Sequence, residues 1–117
     1  IILPQYKMGI GRWAVYTKEA NEFIGWCGLK HRPEAQEIDL GYRFIKSHWG
    51  KGYATEAANA TLQYGHQQLK LEKIIAHAHI GNIASQKVLE KIGMQYVGEG
   101  MDDGEMVKGY VSFNNNN

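Results

Sequence analysis

The stretch Tyr42-Arg-Phe-Ile-Lys-Ser-His-Trp-Gly-Lys-Gly-Tyr-Ala-Thr-Glu56 decides how this chain is read. Its first residues are apolar and suit a strand, its middle carries Gly50, Lys51 and Gly52, and its end opens an alanine-rich helix. A strand that turns through glycines straight into a helix aims several backbone N–H groups, and the positive end of the helix dipole, at one point. That arrangement suits a phosphate or pyrophosphate. Gly52 permits close approach of a ligand to the backbone, or a turn with positive φ. Lys51 adds a positive charge. Glycines between a strand and a helix also serve as plain tight connections, and these residues alone leave both readings open. No Gly-x-x-x-x-Gly-Lys-Ser/Thr occurs, and Gly50-x-Gly52-x-x is followed by Thr55, so neither a P-loop nor a full dinucleotide fingerprint is present. A Gly-x-Gly-x-x-Ala from Gly9 to Ala14 shows how readily such patterns recur.

Upstream, residues 37–45 alternate. Ile38, Leu40, Tyr42 and Phe44 fall on one face, and Glu37, Asp39, Gly41, Arg43 and Ile45 on the other, the period of a strand. Downstream, Ala54, Ala57, Ala58, Thr61, Leu62, Gly65 and Leu69 recur at helical spacing, so residues 55–69 form a helix. Gly65 costs it about 1 kcal/mol relative to alanine, which close packing on a sheet would justify. Residues 73–80 form the next strand. Strand, helix, strand makes a right-handed crossover, so this strand runs parallel to the one before. Asn82 is placed to cap a second helix by accepting from the N–H of Ala84 or Ser85. That helix runs to Ile92 on a stripe of Ala84, Val88, Leu89 and Ile92, and Gly93 is a left-handed stop. Residues 94–99 and 106–113 form a closing antiparallel pair. Ahead of the key stretch, residues 12–17 and 23–29 form another pair about Asn21. Residues 1–11 are irregular, and 31–36 form a polar loop with Pro33. No linker or repeat divides residues 1–117, which read as one domain with 114–117 as a fraying tail.

A hydrophobic fraction of 44% and a charged fraction of 21% suit a soluble globular domain. The net charge of +1 supplies no basic field for nucleic acid. No run is long enough to span a bilayer and no secretory leader opens the chain. Neither nucleic acid nor a membrane is therefore expected as a partner. Cys27 is the sole cysteine, which excludes an internal disulfide and a cysteine zinc cluster and fits a reducing cytoplasm. The chain begins at Ile1 and reads as a fragment, a processed form or the ordered part of a longer chain.

Four blocks, in order, are Leu40-Gly-Tyr-Arg-Phe44, Trp49-Gly-Lys-Gly-Tyr-Ala-Thr-Glu-Ala57, Asn82-x-x-Ser85 and Val88-Leu-Glu-Lys-Ile-Gly-Met94. Together they resemble the GNAT superfamily of acyl-CoA-dependent N-acyltransferases, and most of all its branch of ribosomal-protein N-terminal acetyltransferases. The resemblance runs from about Gly11 to about Val111. It implies an α/β (α+β) fold: a mixed, twisted sheet with helices on both faces. Its central parallel strands, 38–45 and 74–80, would splay apart to admit the pantetheine arm of acetyl-CoA. It implies that backbone amides of Gly50, Lys51, Gly52, Tyr53, Ala54 and Thr55 hold the pyrophosphate, with Trp49 where many members carry Gln or Arg. Backbone groups of Phe44 and Ile45 would pair with the pantetheine amides, and Asn82 and Ser85 would meet the arm from the other side. Two departures stand out. The tyrosine that many members place seven residues after the Asn, as general acid, is Leu89 here; Ser85 is the nearest hydroxyl that could replace it, or it simply serves the first turn of its helix. The strand and helices that the family usually places before this segment, and that line one wall of the acceptor site, are missing here: cut away, disordered or supplied by a partner.

The chemistry implied is attack by a neutral amine on a thioester, which needs a base, an oxyanion donor and a way to stabilise the thiolate. Asp39 and Glu37 share a strand face, and Asp39, deeper in the strand, is the preferred base; both also read as solvated strand carboxylates. Tyr42 reads as core. His77 and His79 share a face and suit polar strand positions or the acceptor cleft better than a metal, for which no further ligand is evident nearby. No metal is expected. The tryptophans read as packing, and no Gly-x-Ser-x-Gly elbow supports hydrolysis. The reading is an acetyl-CoA-dependent N-acetyltransferase acting on a primary amine, a protein N-terminus or a small molecule. Its alternatives are a CoA-binding module without turnover and a half-domain completed as a homodimer through exposed strand edges.

Overall fold

The computed structural model describes residues 2–4, 11–16, 21–32, 37–44, 52–102 and 104–114. Strands β1 (Ile2–Pro4), β2 (Gly11–Tyr16), β3 (Phe23–Arg32) and β4 (Glu37–Phe44) precede helix α1 (Tyr53–Gln67). Strand β5 (Lys73–His79), helix α2 (Ile83–Lys91) and strands β6 (Gln95–Asp102) and β7 (Glu105–Phe113) follow. All seven strands join one mixed sheet in the order β1-β2-β3-β4-β5-β7-β6. The first four form an antiparallel meander, β4 and β5 are parallel, and β7 runs antiparallel between β5 and β6.

Two segments taken as irregular belong to this sheet. Ile2–Pro4 pairs with β2. β3 continues through His31 and Arg32, whose backbones pair with Ile38 and Glu37, after a cross-strand pair of opposite charges, Lys30 and Asp39. Asn114, assigned to a fraying tail, is held instead: its N–H donates to the Glu72 carbonyl (2.8 Å) and its side-chain amide to the His66 carbonyl (2.9 Å).

The mixed sheet with helices is the expected fold, and among the described residues both helices pack on one face of it. The connections β4-α1-β5 and β5-α2-β6 step the same way across the sheet between parallel strands, so a right-handed crossover puts both helices on one side. That side holds the core: Leu29, Leu40, Leu62, Ile74, Leu89 and Tyr110 are each at most 2% exposed. Gly65 is where α1 comes closest to the sheet. A Cβ there would sit 2.6 Å from Ile74 Cδ1 and 3.3 Å from Leu29 Cδ1, so a larger residue would force those side-chain ends to shift. Thr61 donates to the Ala57 carbonyl (2.9 Å) and accepts from the Cys27 thiol (3.1 Å) across the same interface. Burial pushes that thiol up to about 12. Among the described residues, no helix is long and apolar enough to cross a membrane.

Candidate active site

The ladder between β4 and β5 contains only Asp39↔Ile75 and Leu40↔Ala76. Beyond it β4 runs on to Phe44 and β5 to His79, so the two parallel strands part. Each is held along its other edge, β4 by β3 and β5 by β7, and the seam opens without unravelling the sheet. Helices α1 and α2 both begin at this end. In sheets of this kind ligands bind outside the carboxyl ends of the parallel strands.

Gly52 caps α1 with φ 83° and ψ 0°, the left-handed backbone that glycine adopts without strain. Its carbonyl accepts from the Glu56 N–H at 3.0 Å. The first-turn amides of Tyr53, Ala54 and Thr55 project from the helix end, as helix geometry demands. No described atom lies within 4 Å of where a Gly52 Cβ would stand. Of the sequence-assigned cofactor residues, Ile45, Gly50 and Lys51 lie outside the described residues, as does Trp49.

On the other side of the seam, Asn82 caps α2 and its Oδ1 accepts from the Ser85 N–H at 3.1 Å, as its spacing predicts. Gln86 is buried, and its side-chain amide donates to the carbonyls of His79 (3.2 Å) and Ile80 (3.0 Å). These bonds fix the start of α2 to the end of β5. Leu89, at the position of the family's tyrosine, is fully buried core. The Tyr42 hydroxyl crosses the seam from β4 to Ser85 Oγ at 2.8 Å. Burial pushes the Tyr42 phenol up to about 12, against the opposing effect of the Ser85 hydrogen bond. Sequence reasoning assigned Tyr42 to the core and passed over Gln86. The available signal was a tyrosine, not a phenylalanine, on the apolar face near a strand end, because a buried phenol needs a partner.

The opposite face of the seam carries Asp39 and His77, with Asp39 Oδ2 4.0 Å from His77 Nδ1. Nδ1 is buried and makes no hydrogen bond among the described residues. Asp39 stands in the last stretch of ladder before the strands part. Glu37 lies two residues further from the opening and is bound to Lys73 at 2.9 Å. The structure thus sets Asp39 beside the seam and Glu37 away from it. His79 sits at the strand end, where its Nδ1 accepts from the Gly81 N–H (3.1 Å) and its Nε2 faces Glu105 (3.7 Å). No metal-binding group of three or more such side chains occurs among the described residues.

A mixed sheet with a parted parallel pair, flanked by two helix N-termini, is the architecture of acyl-CoA-dependent acyltransferases. The ribosomal-protein-S5-alanine acetyltransferase of Vibrio fischeri superposes with a TM-score of 0.82 at 22% identity, over 93% of this chain and 64% of that one. Residues 2–95 match the family described as the acetyltransferase (GNAT) domain, and the chain belongs to that family. It is 43% identical over 90 residues to the uncharacterized protein YkkB of Bacillus subtilis, covering 75% of this chain and 52% of that protein. It is 35% identical over 99 residues to the uncharacterized N-acetyltransferase p20 of Bacillus licheniformis, covering 84% and 55%. The chain therefore spans about half the length of these relatives.

Proposed function

We propose that this chain carries the acetyl-CoA site and the catalytic seam of an N-acetyltransferase that acetylates a primary amine. The observation that carries the reading is the parting of β4 and β5 directly after Leu40 and Ala76, beside the open N-terminus of α1. A pyrophosphate at the amides of Gly52 to Thr55 would send the pantetheine arm into the seam, along the backbone of Phe44 and past Asn82 and Ser85.

The seam separates two tasks by face. Asp39, on the face without helices, takes the proton of the incoming ammonium, with His77 beside it. Glu37, already paired with Lys73, is the weaker candidate. The amine nitrogen then bonds to the acetyl carbon and sheds its extra proton to solvent, the carbon–sulfur bond breaks, and the electron pair leaves with sulfur, which takes up a proton from solvent. Ser85, on the helix side, is the hydroxyl placed to donate a hydrogen bond to that sulfur. The acceptor is a protein N-terminus or a small amine; fold neighbours are named for both, a ribosomal-protein alanine and spermidine.

The test is calorimetric titration of the chain with acetyl-CoA and CoA, followed by an amine and peptide panel. Micromolar binding with acetyl transfer supports the proposal. Absence of binding to the folded chain refutes it, and binding without transfer to any acceptor favours the CoA-binding module.

A further inference from the structure

The hydroxyl pair joining β4 to the start of α2 points to a role for Tyr42 that its place on an apolar strand face conceals. We propose that Tyr42 is a positioning residue: its O–H donates to Ser85 Oγ and so turns the Ser85 proton toward the leaving sulfur. This rests on the acetyltransferase reading above.

Three observations carry it. First, Tyr42 lies two residues past Leu40, the last ladder residue of β4, so its side chain leaves the strand where the seam has opened. Second, the Ser85 backbone is fixed independently, by the Asn82 cap and by the Gln86 bonds to the end of β5. Only the Oγ–H remains free to turn. Third, the phenol has two acceptors within reach, Ser85 Oγ at 2.8 Å and the Ser85 carbonyl at 3.4 Å. The shorter contact falls at the usual O–H···O distance and the longer one does not. The 2.8 Å contact is the usual O–H···O length for either hydroxyl as donor; the proposed arrangement assigns the phenol proton to it, which occupies an Oγ lone pair. The Ser85 proton is then directed away from Tyr42. Its burial keeps the phenol protonated throughout the neutral range, so it stays a donor at working pH. No proton need leave Tyr42: sulfur departs with its electron pair, receives the Ser85 hydrogen bond as charge develops, and is later protonated from solvent. The position of the missing family tyrosine is filled by core Leu89, and the Tyr42–Ser85 pair supplies hydroxyl chemistry at the same helix start.

The experiment reads the thiol of bound CoA, which requires no acceptor. The ultraviolet absorbance of the thiolate is titrated with pH in the CoA complexes of wild type, Tyr42→Phe, Ser85→Ala and the double variant. A hydrogen bond to a charged acceptor is worth about one unit of pKa or more. Ser85→Ala should raise the bound thiol by about that amount. Tyr42→Phe should raise it by a large part of it, with CoA affinity within about threefold of wild type. The double variant should match Ser85→Ala alone, because Tyr42 acts only through Ser85. If Tyr42→Phe leaves the bound thiol unchanged, or if the two effects add, the proposal is overturned and Tyr42 is a strut between β4 and α2. If wild type does not bind CoA, the acetyltransferase reading itself falls, and this proposal with it.

Discussion

Replacing Gly52 by alanine tests the anion site directly. The residue sits at φ 83° with no described atom within 4 Å of the added Cβ, so the fold pays only for the left-handed backbone, about 1–2 kcal/mol. Loss of unfolded-chain freedom returns roughly 0.4–1 kcal/mol of that. The net change should lower the melting temperature by about 2–6 °C and leave the protein folded. Binding should suffer far more. The end of α1 carries about half a positive charge, and a diphosphate about 4 Å away at an effective dielectric of about 20 gains roughly 4 kcal/mol from it. A methyl group that holds the anion back by about 1.5 Å forfeits about a quarter of this attraction. It also breaks one or two amide bonds to a charged acceptor, at about 1.5–3 kcal/mol each. CoA affinity should therefore fall by at least about 100-fold. Gly93→Ala is the control, since Gly93 has φ 90° and the same open surroundings but lies at the far end of α2. Calorimetric titration of both variants, with melting curves alongside, decides the matter. A folded Gly52→Ala protein that binds CoA within about threefold of wild type would refute the placement of the pyrophosphate.

Asp39→Asn should depress turnover more at low pH than at high pH, where the amine sheds its own proton; an unchanged pH–rate profile would remove Asp39 from the mechanism. Gly65→Ala should lose up to about 2 kcal/mol in urea unfolding despite its better helix propensity, because its Cβ meets Ile74 Cδ1 at 2.6 Å. In an Ile74→Val background, which removes that atom, the same change should become stabilising; a stabilising effect in the wild-type background would disprove the contact. Cys27 and Tyr42 both hold protons in the folded state up to about 12, against ordinary values of 9.0 and 10.0. The native state then binds more protons than the unfolded chain above pH 9. Stability should be fully present below pH 9 and fall progressively up to about pH 12. Cys27→Ala should flatten the first part of that decline, and a pH-independent stability across the window would contradict both shifts.

The local signals that worked were those whose physics is local. Alternation marked β4, helical spacing marked α1, and the Asn82–Ser85 cap and the Gly93 stop were written in residue chemistry that needs no distant partner. The four motif blocks then carried the family and the mixed sheet. The misses were long-range. His31 and Arg32 entered β3 because the register with β4 drew them in. Asn114 was fixed by the carbonyls of Glu72 and His66, remote in sequence. The insertion of β7 between β5 and β6 is likewise an order that no local pattern contains.

The candidate site divides the same way. The sequence by itself determined that a glycine turn feeds a helix N-terminus and that a capped helix start carries Ser85, since caps and turns depend on residues a few positions apart. It also set Asp39 and Glu37 on one strand face. Only the tertiary structure decided which carboxylate stands at the opening, by ending the β4–β5 ladder at Leu40 and tying Glu37 to Lys73. It alone gave Tyr42, which packs against the core as expected, Ser85 as its partner, because a hydrogen bond between residues 43 positions apart exists only once the crossover has folded α2 against β4.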